Sequence, residues 1–536
     1  MKKRLAVIVS FIFLFPIFFT VSSTAQVSQE WVARYNGPEG LGDFSRAITA
    51  DRYGNVTVVG WLGNLPFGFS DILTLRYSAG GTLLWSAIYS GWPYFDQAVG
   101  VQSDDLGNVY VAGNLDDMTT PCCAIIIKYN ALGEIIWSAL YQGLYGSFCD
   151  MLVDDSGNVV CLRKDIGPAA YRDYITVKYD SSGNLLWLAR YEGEAIDYAG
   201  DLCIDNLGNI IVTGSTFRMA QGNYDIGTVK YSPSGIQQWV SIYNGPGDTS
   251  DFGVSLDTDE SGNVYVAGEC YGSDNQGRMT TLKYNSSGQL QWAVEYPGNS
   301  YPLRVETTDA NSVYVSGTAG NISVYDYLAV KYDSAGNLLW TFTLNGSGDS
   351  DDVVCAMRSD SAGNIYLAGT CTNANTGNDY VTVKLDPSGV MKWNMTCSGP
   401  VLNDNATCME VDKNGSVYVS GNSQGNEGDI MTVKYSQLTD IEESYSLNLT
   451  EYELRQNFPN PFNPATTIAY GIPHAGNVTV KIFDMTGREV RTLVNEFKEA
   501  GYHLAAFDGS SLPSGTNIYR ICAGSYVSAK KMVLLK

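Results

Sequence analysis

Residues 96–141 read DQAVGVQSDDLGNVYVAGNLDDMTTPCCAIIIKYNALGEIIWSALY, and their pattern sets the architecture of most of the chain. Four short apolar segments, A to D, are separated by turn-forming residues. Segment A runs into the turn Asp104-Asp105-Leu106-Gly107-Asn108, and segment B is Val109-Tyr110-Val111-Ala112-Gly113. Segment C ends in Lys128-Tyr129, and Trp137 opens segment D. In the following copy Ile175-Thr176-Val177-Lys178-Tyr179 alternates with period two, the periodicity of a strand with one buried face. Each copy therefore predicts one four-stranded antiparallel sheet, with turn glycines supplying the positive φ of tight hairpins.

Working outward, the unit recurs along the chain. Tryptophan stands at Trp31, Trp85, Trp137, Trp187, Trp239, Trp292, Trp340 and Trp393, at intervals of 48 to 54 residues. A period near 50 built of short strands reads as propeller blades. The end of segment C appears eight times, at Arg76-Tyr77, Lys128-Tyr129, Lys178-Tyr179, Lys230-Tyr231, Lys283-Tyr284, Lys331-Tyr332, Lys384-Leu385 and Lys434-Tyr435. After Tyr435 no segment D follows, whereas an orphan segment D, Trp31–Tyr35, precedes the first unit. The expectation is an all-β, eight-bladed β-propeller over residues 26–436, closed in a 3+1 manner by the N-terminal strand so that no sheet edge is left open.

Some features of the units read as structural. One Trp at a fixed place in each segment D is expected to pack between blades, not to form a stacking ladder. The Lys or Arg before each segment-C Tyr is expected to meet the Asp that occupies seven of the eight A–B turns. In the sixth unit Asn311 replaces the turn Gly and is expected to keep its conformation. In the third unit Arg163 stands where the others close segment B with Gly. Cys149 and Cys161 flank the Asp154-Asp155-Ser156-Gly157 turn, and two buried thiols facing each other, free or joined, are the alternatives.

The ends of the chain carry its targeting. Met1-Lys2-Lys3-Arg4, the apolar run Leu5–Phe19 and Ser23-Thr24-Ala25 form a signal peptide over residues 1–25, cut after Ala25. The apolar run is shorter than the roughly 20 residues of a spanning helix, and no second run of that length follows, so no transmembrane segment is expected in the mature chain. Residues 437–456 are polar and read as a linker. Asn457-Phe458-Pro459-Asn460-Pro461-Phe462-Asn463-Pro464 then opens a different module, 457–536, whose alternating segments fit an immunoglobulin-like β-sandwich.

Composition excludes several functions. The formal net charge is −23, which disfavours nucleic acid and anionic membranes as partners. Eleven cysteines at irregular spacings are not a disulfide framework, and no Cys-x-x-Cys pair suggests zinc. Both histidines, His474 and His503, lie in the C-terminal module, so no Ser-His-Asp or Cys-His constellation can be assembled among the repeats.

Two family resemblances follow from these motifs. The stretch Asp-x-x-Gly-Asn-x-Tyr-x-x-Gly at Asp104–Gly113, Asp259–Gly268 and Asp360–Gly369 resembles the bacterial SBBP-type β-propeller repeat, over residues 31–436; this implies the propeller fold in an exported protein. Residues 457–536 closely resemble the C-terminal sorting domain of type IX secretion cargo, through NFPNPFNPATTI, Asp484-Met485-Thr486-Gly487-Arg488, Ala500–His503, Ser514-Gly515 and Lys530–Lys536. This resemblance implies handling by the type IX machinery, passage via the periplasm to the medium or the outer cell surface, and a sorting signal that includes Gly515, Tyr519, Lys530, Lys531, Leu534 and Leu535. Thr516-Asn517-Ile518-Tyr519 departs from the more apolar strand usual there.

For function, two classes remain. One is a non-catalytic binding or adhesion module, with an extracellular polysaccharide or a surface protein as partner. The other is a carbohydrate-active enzyme working with a carboxylate pair, which needs no histidine. The A–B and C–D turns share one face and are uniform; the B–C and D–A loops share the other and vary, so a ligand site is expected there. Twelve residues before the A–B turn Asn, or its equivalent, six units carry an acid: Asp43, Asp96, Asp197, Asp251, Asp352 and Asp404. One reading gathers them around the channel mouth as a site for Ca²⁺ or a cationic ligand. The other has each close a local Asx-type turn.

Overall fold

The computed structural model describes residues 27–37, 42–64, 69–91, 95–116, 123–142, 146–166, 172–274, 276–308, 312–321, 324–348, 350–374, 376–399, 403–423, 428–437, 452–454, 457, 462, 465–498, 501–510 and 512–535. The signal peptide with Ala25, most of the 437–456 linker, Cys122 and Asn311 lie outside them. The described residues are all-β, without helix, and the chain separates into two compact units, Met1–Gln437 and Leu438–Lys536.

The first unit consists of four-stranded antiparallel blades. In the first, strands A to D are Asp43–Ala50, Val56–Asn64, Phe69–Tyr77 and Leu83–Tyr89, hydrogen-bonded in that order. Among the described residues it is the first of eight such sheets in this unit. In the last, Asp404–Val411, Val417–Ser423 and Asp429–Gln437 are joined on their outer edge by Val27–Tyr35 from the N-terminus. The A strand of each sheet packs on that of the next, and Asp404–Val411 packs on Asp43–Ala50. Apolar clusters sit between consecutive sheets; between last and first, Cys408, Tyr418 and Ile430 meet Val58, Leu73 and Leu75.

The N-terminal strand reproduces the other D strands down to their irregularity. Trp137 pairs with Lys128 but Ile135 with Tyr129, leaving Ile136 as an extra residue. Likewise Trp31 pairs with Lys434 and Gln29 with Tyr435, leaving Glu30 as the extra residue. Glu30 uses that position to bond Lys434 at 2.7 Å.

The tryptophans pack between sheets as expected but lie nearer the surface than core positions. Seven are only half-buried; Trp393 alone is buried, at 6% exposure. Each of the seven instead clasps the C–D turn of the next sheet. The indole Nε1 donates to a turn carbonyl, as Trp85 to Ala131 O at 3.1 Å and Trp187 to Pro233 O at 3.0 Å. The ring covers the turn glycine, so that a Cβ on Gly133 would fall 2.7 Å from Trp85 Cδ2. Trp31 makes the same clasp on Ala79 O at 3.0 Å and on Gly81. Trp393 faces the one sheet without a C–D turn, and its Nε1 has no hydrogen-bond partner among the described residues.

The cations before the segment-C tyrosines adopt two arrangements. Arg76, Lys178 and Lys230 bond the A–B turn aspartates Asp51, Asp154 and Asp205 at 2.5, 2.9 and 2.8 Å. Lys128, Lys283, Lys331, Lys384 and Lys434 lie over the rings of Tyr110, Tyr265, Tyr314, Tyr366 and Tyr418, within 5.5 Å of their centroids. The cross-strand neighbour decides: it is Thr57, Val160 or Ile211 in the first group and Tyr in the second. Four of these tyrosine hydroxyls donate to the turn aspartate, as Tyr110 does to Asp104 Oδ2 at 3.2 Å, while Tyr314 donates to Gly363 O at 3.1 Å; in all five the ring is left to the lysine. The expected Lys–Asp contact thus holds only where that tyrosine is absent.

Every A strand carries a β-bulge at its third or fourth residue, as between Ser45 and Ala47 and between Phe148 and Asp150. The bulge drives strand A against the residue that closes segment B: a Cβ on Gly60 would lie 1.8 Å from Phe44 O. Arg163 occupies this place in the third sheet, where its strand continues as Val159–Ile166 and its buried guanidinium lies 4.6 Å from the Tyr141 ring centroid. Cys149 is itself the extra bulge residue, while Cys161 pairs with Met151, so the two do not face each other; both are free thiols.

In the second unit a three-stranded sheet, Glu453–Leu454, Ala465–Ile472 and Gly501–Asp508, shares one core with a four-stranded sheet ordered Glu489–Lys498, Gly476–Asp484, Gly515–Ala523 and Tyr526–Leu534.

Replacing Gly133 (φ +85°) by Ala should cost about 2–3 kcal/mol, against about 1 kcal/mol at Gly222 (φ +77°), where nothing lies within 4 Å of the new Cβ. Denaturant unfolding of both variants measures the difference; equal losses would mean that the indole contact contributes nothing.

Candidate functional site

The six aspartates stand at or immediately before the start of strand A, and each is fully buried. Each Oδ2 accepts the backbone N–H of a glycine in the preceding D–A loop: Gly37 to Asp43 at 2.5 Å, Gly91 to Asp96 at 2.6 Å, Gly193 to Asp197 at 2.8 Å and Gly245 to Asp251 at 2.5 Å, with Gly346 and Gly399 bonding Asp352 and Asp404 likewise. They are distributed one to a sheet. Among the described residues no three His, Cys, Asp or Glu side chains gather as ligands for a metal ion. Burial is the first cause that pushes Asp43, Asp197 and Asp251 up to about 6, against the glycine hydrogen bonds that lower them.

The A strands of seven sheets line a central cavity of about 320 Å³, whose charged lining includes Arg46, Asp150, Asp201, Arg304 and Arg358. Side chains that follow the bulge face this cavity or the adjoining blade. There they strap neighbouring blades together. Asp150 accepts Leu202 N–H at 3.3 Å from the next sheet, and Asp201 accepts Leu256 N–H and Ser255 Oγ–H, both at 2.9 Å. Asp257 accepts Thr307 N–H at 2.7 Å, and Ser255 Oγ accepts Val305 N–H at 3.3 Å. Arg304 approaches Asp201 at 3.8 Å and Glu306 at 4.0 Å; Arg358 joins Glu306 at 3.7 Å to Glu410 at 3.4 Å. Burial, then the charge and hydrogen bond of Asp201, push Asp150 well above the usual carboxylate range. Asp201, foremost among its acidic neighbours, raises Arg304.

The B–C/D–A face carries a feature that the sequence reading missed. Half-exposed rings form a row across the fourth to sixth sheets: Phe217 and Tyr224 have centroids 5.1 Å apart, Tyr198 and Tyr224 5.6 Å, Tyr224 and Phe252 5.7 Å, Phe252 and Tyr271 6.3 Å, and Tyr301 and Tyr325 5.5 Å. The signal was present in the aromatic residue after the first A-strand position: Tyr198, Phe252 and Tyr301 directly follow Asp197, Asp251 and Ser300. The repeat alignment concealed it, because the other units hold Gln97, Ser147, Val353 and Asn405 there, and Phe44 stands apart in the first sheet.

In the second unit, the residues implied as the sorting signal divide by burial. Tyr519 and Leu534 are wholly inside the core, and the Tyr519 hydroxyl accepts Asn457 N–H at 2.8 Å. Lys531 and Leu535 are exposed and Lys530 is half-buried. Gly515 pairs with Leu534 at the start of its strand. Phe462 N–H donates to Val533 O and Phe462 O accepts Leu535 N–H, both at 2.9 Å, covering the edge of the last strand.

Residues 456–535 match the family described as the secretion system C-terminal sorting domain. The chain thus carries a type IX sorting domain, which marks it for export to the surface or the medium. No curated protein matches this chain in sequence. Among solved structures, PorZ, a surface component of the type IX secretion system of Porphyromonas gingivalis, is 13% identical with a TM-score of 0.38, over 92% of this chain and 70% of that one. The β-propeller domain of the trilobed protease from Pyrococcus furiosus is 8% identical with a TM-score of 0.41, over 65% and 98%. A polysaccharide lyase of the ulvan lyase family PL25 is 12% identical with a TM-score of 0.41, over 68% and 98%.

Unfolded aspartate titrates near 3.9, so Asp43, Asp197 and Asp251, at about 6, bind more protons in the fold than in the unfolded chain. Their contribution is present below about pH 4 and is lost as pH rises through 6. The melting temperature should therefore fall between pH 5 and 7.5, and the triple variant Asp43→Asn/Asp197→Asn/Asp251→Asn should flatten that fall, leaving a residue from Asp257, also at about 6. An unchanged slope in the variant would contradict the assignment.

Proposed function

We propose that this chain is an exported eight-bladed β-propeller, closed 3+1 by Val27–Tyr35 and followed by an immunoglobulin-like sorting sandwich, that acts outside the cell as a non-catalytic binding module. Its units are read as SBBP-type repeats. The signal peptide delivers it to the periplasm; the type IX machinery then moves it across the outer membrane, removes residues 457–536, and releases it or attaches it to the surface. The six aspartates, in this reading, frame the loop face and take no ligand themselves.

One observation carries the non-catalytic reading. Asp150 and Asp201 are adjacent acids in the central cavity, yet all four of their oxygens accept hydrogen bonds from their own chain. Asp150 Oδ1 takes Met151 N–H and its Oδ2 takes Leu202 N–H; Asp201 Oδ1 takes Leu202 N–H and its Oδ2 takes Ser255 and Leu256. Carboxyls committed to holding strands together are poorly placed to exchange protons with a substrate. The second reading, a carbohydrate-active enzyme, draws on the same pair, since a carboxyl raised by burial and by a neighbouring acid, as Asp150 is, has the character of a general acid.

Incubating the full chain with a polysaccharide panel, and following both retention and products, separates the two. Retention without new reducing ends or unsaturated sugars is expected; turnover abolished by Asp201→Asn would establish the enzyme. Truncation of residues 457–536 should leave a folded first unit held in the periplasm of a type IX-competent host. Surface delivery of the truncated chain at the normal level would refute the sorting role.

A further inference from the structure

We propose that the aromatic row of the fourth to sixth sheets is a binding site for an uncharged glycan, with pyranose rings laid on Tyr224, Phe252 and Tyr301. The inference rests on the binding-module reading and names its ligand class and its place.

The row is out of keeping with a surface that needs only to be solvated. Its rings are large and half-exposed, those of the fourth and fifth sheets touch through Tyr224 and Phe252, and Tyr301 and Tyr325 of the sixth lie near Tyr271; exposed apolar area of this kind marks an interaction site. It also lies on the face where loop length and composition vary from unit to unit, while the inner strands beneath it are strapped together and hold the rings in place.

Polar groups between the rings select the ligand. Glu269 pairs across strands with Phe252 and hydrogen-bonds the Tyr271 hydroxyl, which is the largest cause raising that phenol. Its Oε1 is shut off from solvent and carries no hydrogen bond of its own. The hydrogen-bonded Glu269–Tyr271 pair sets a polar edge among the rings. A pyranose presents both required surfaces: polarised C–H bonds on its flat face, attracted to the negative face of an aromatic ring, and hydroxyls around its rim.

Charge narrows the class further. The cations beside the row are already engaged: Arg218 with Glu194 at 3.1 Å and Asp225 at 3.7 Å, Arg278 with Asp274 at 2.5 Å, and Arg172 over the Tyr198 ring at 5.6 Å. The chain's net charge of −23 repels sulfated and uronate polymers and anionic lipid alike. An uncharged polymer meets neither barrier.

Affinity electrophoresis of the full chain through gels containing an uncharged β-glucan, a mannan or an alginate tests this. Retardation by an uncharged polymer and not by alginate is expected. Phe252→Ala and Tyr224→Ala should each weaken it about tenfold or more, and Glu269→Gln should weaken it less. Phe252→Leu and Tyr224→Leu keep apolar volume but lose the flat face; with wild-type melting temperatures they should bind as poorly as the alanine variants. Tyr53→Ala, in an A–B turn on the opposite face, should change nothing. Retardation by alginate alone, capture by a protein surface with no glycan retention, or leucine variants that bind normally would each overturn the glycan assignment while leaving the binding-module reading intact. Cleavage of a retarding glucan would instead remove the non-catalytic reading and leave the row standing as a glycan subsite.

Discussion

The indole of seven of the D strands, resting on the C–D turn glycine of the next sheet and donating to that turn's carbonyl, is the contact on which the first unit depends. Consecutive sheets share no backbone hydrogen-bond ladder, so their mutual placement must come from side chains. Apolar clusters supply adhesion between sheets, but such packing alone fixes register weakly. The clasp adds a directional bond at the outer rim, and because a Cβ cannot fit beneath the ring, it ties the identity of one residue in a blade to that of another in the next. Trp31 extends the series across the chain ends, which makes the N-terminal strand a functional member of the last sheet rather than an appendage.

The inner rim solves the same problem differently. A bulge in every A strand turns side chains toward the neighbouring blade, and Asp150, Asp201, Ser255 and Asp257 bond backbone amides there. Burying a carboxylate is expensive unless its oxygens are satisfied, and these satisfy amides that would otherwise be costly themselves. The result is a charged cavity whose charges are largely used internally. Polar chemistry around the central cavity thus serves the packing of the blades.

The lysines show how one position can serve two local solutions. Where segment B places Tyr opposite the lysine, the ring takes the ammonium and, except at Tyr314, the hydroxyl takes the turn aspartate; where it places Thr, Val or Ile, the cation takes the aspartate directly. Both give the cation a partner. The second unit divides its own residues in a similar way: Tyr519 and Leu534 build the core, while Lys531 and Leu535 remain on the surface.

The four-stranded unit, its turns, its recurrence and the orphan segment at Trp31 were legible in the sequence, because strand period and turn glycines are local and the repeat multiplies each signal eightfold. The sorting domain was legible as well, since its motifs are contiguous. What the sequence could not convey was the partner of each side chain. Half-burial of the tryptophans, the bulge that brings strand A onto Gly60, the separation of Cys149 from Cys161 and the commitment of Asp150 and Asp201 to neighbouring amides all depend on contacts between sheets. The aromatic row is the extreme case. Tyr224, Phe252 and Tyr301 are widely spaced along the chain and belong to different strands of different repeats, so no periodicity in one dimension marks them. Only stacking of the sheets, which sets blade beside blade at a fixed angle, brings their rings into one surface.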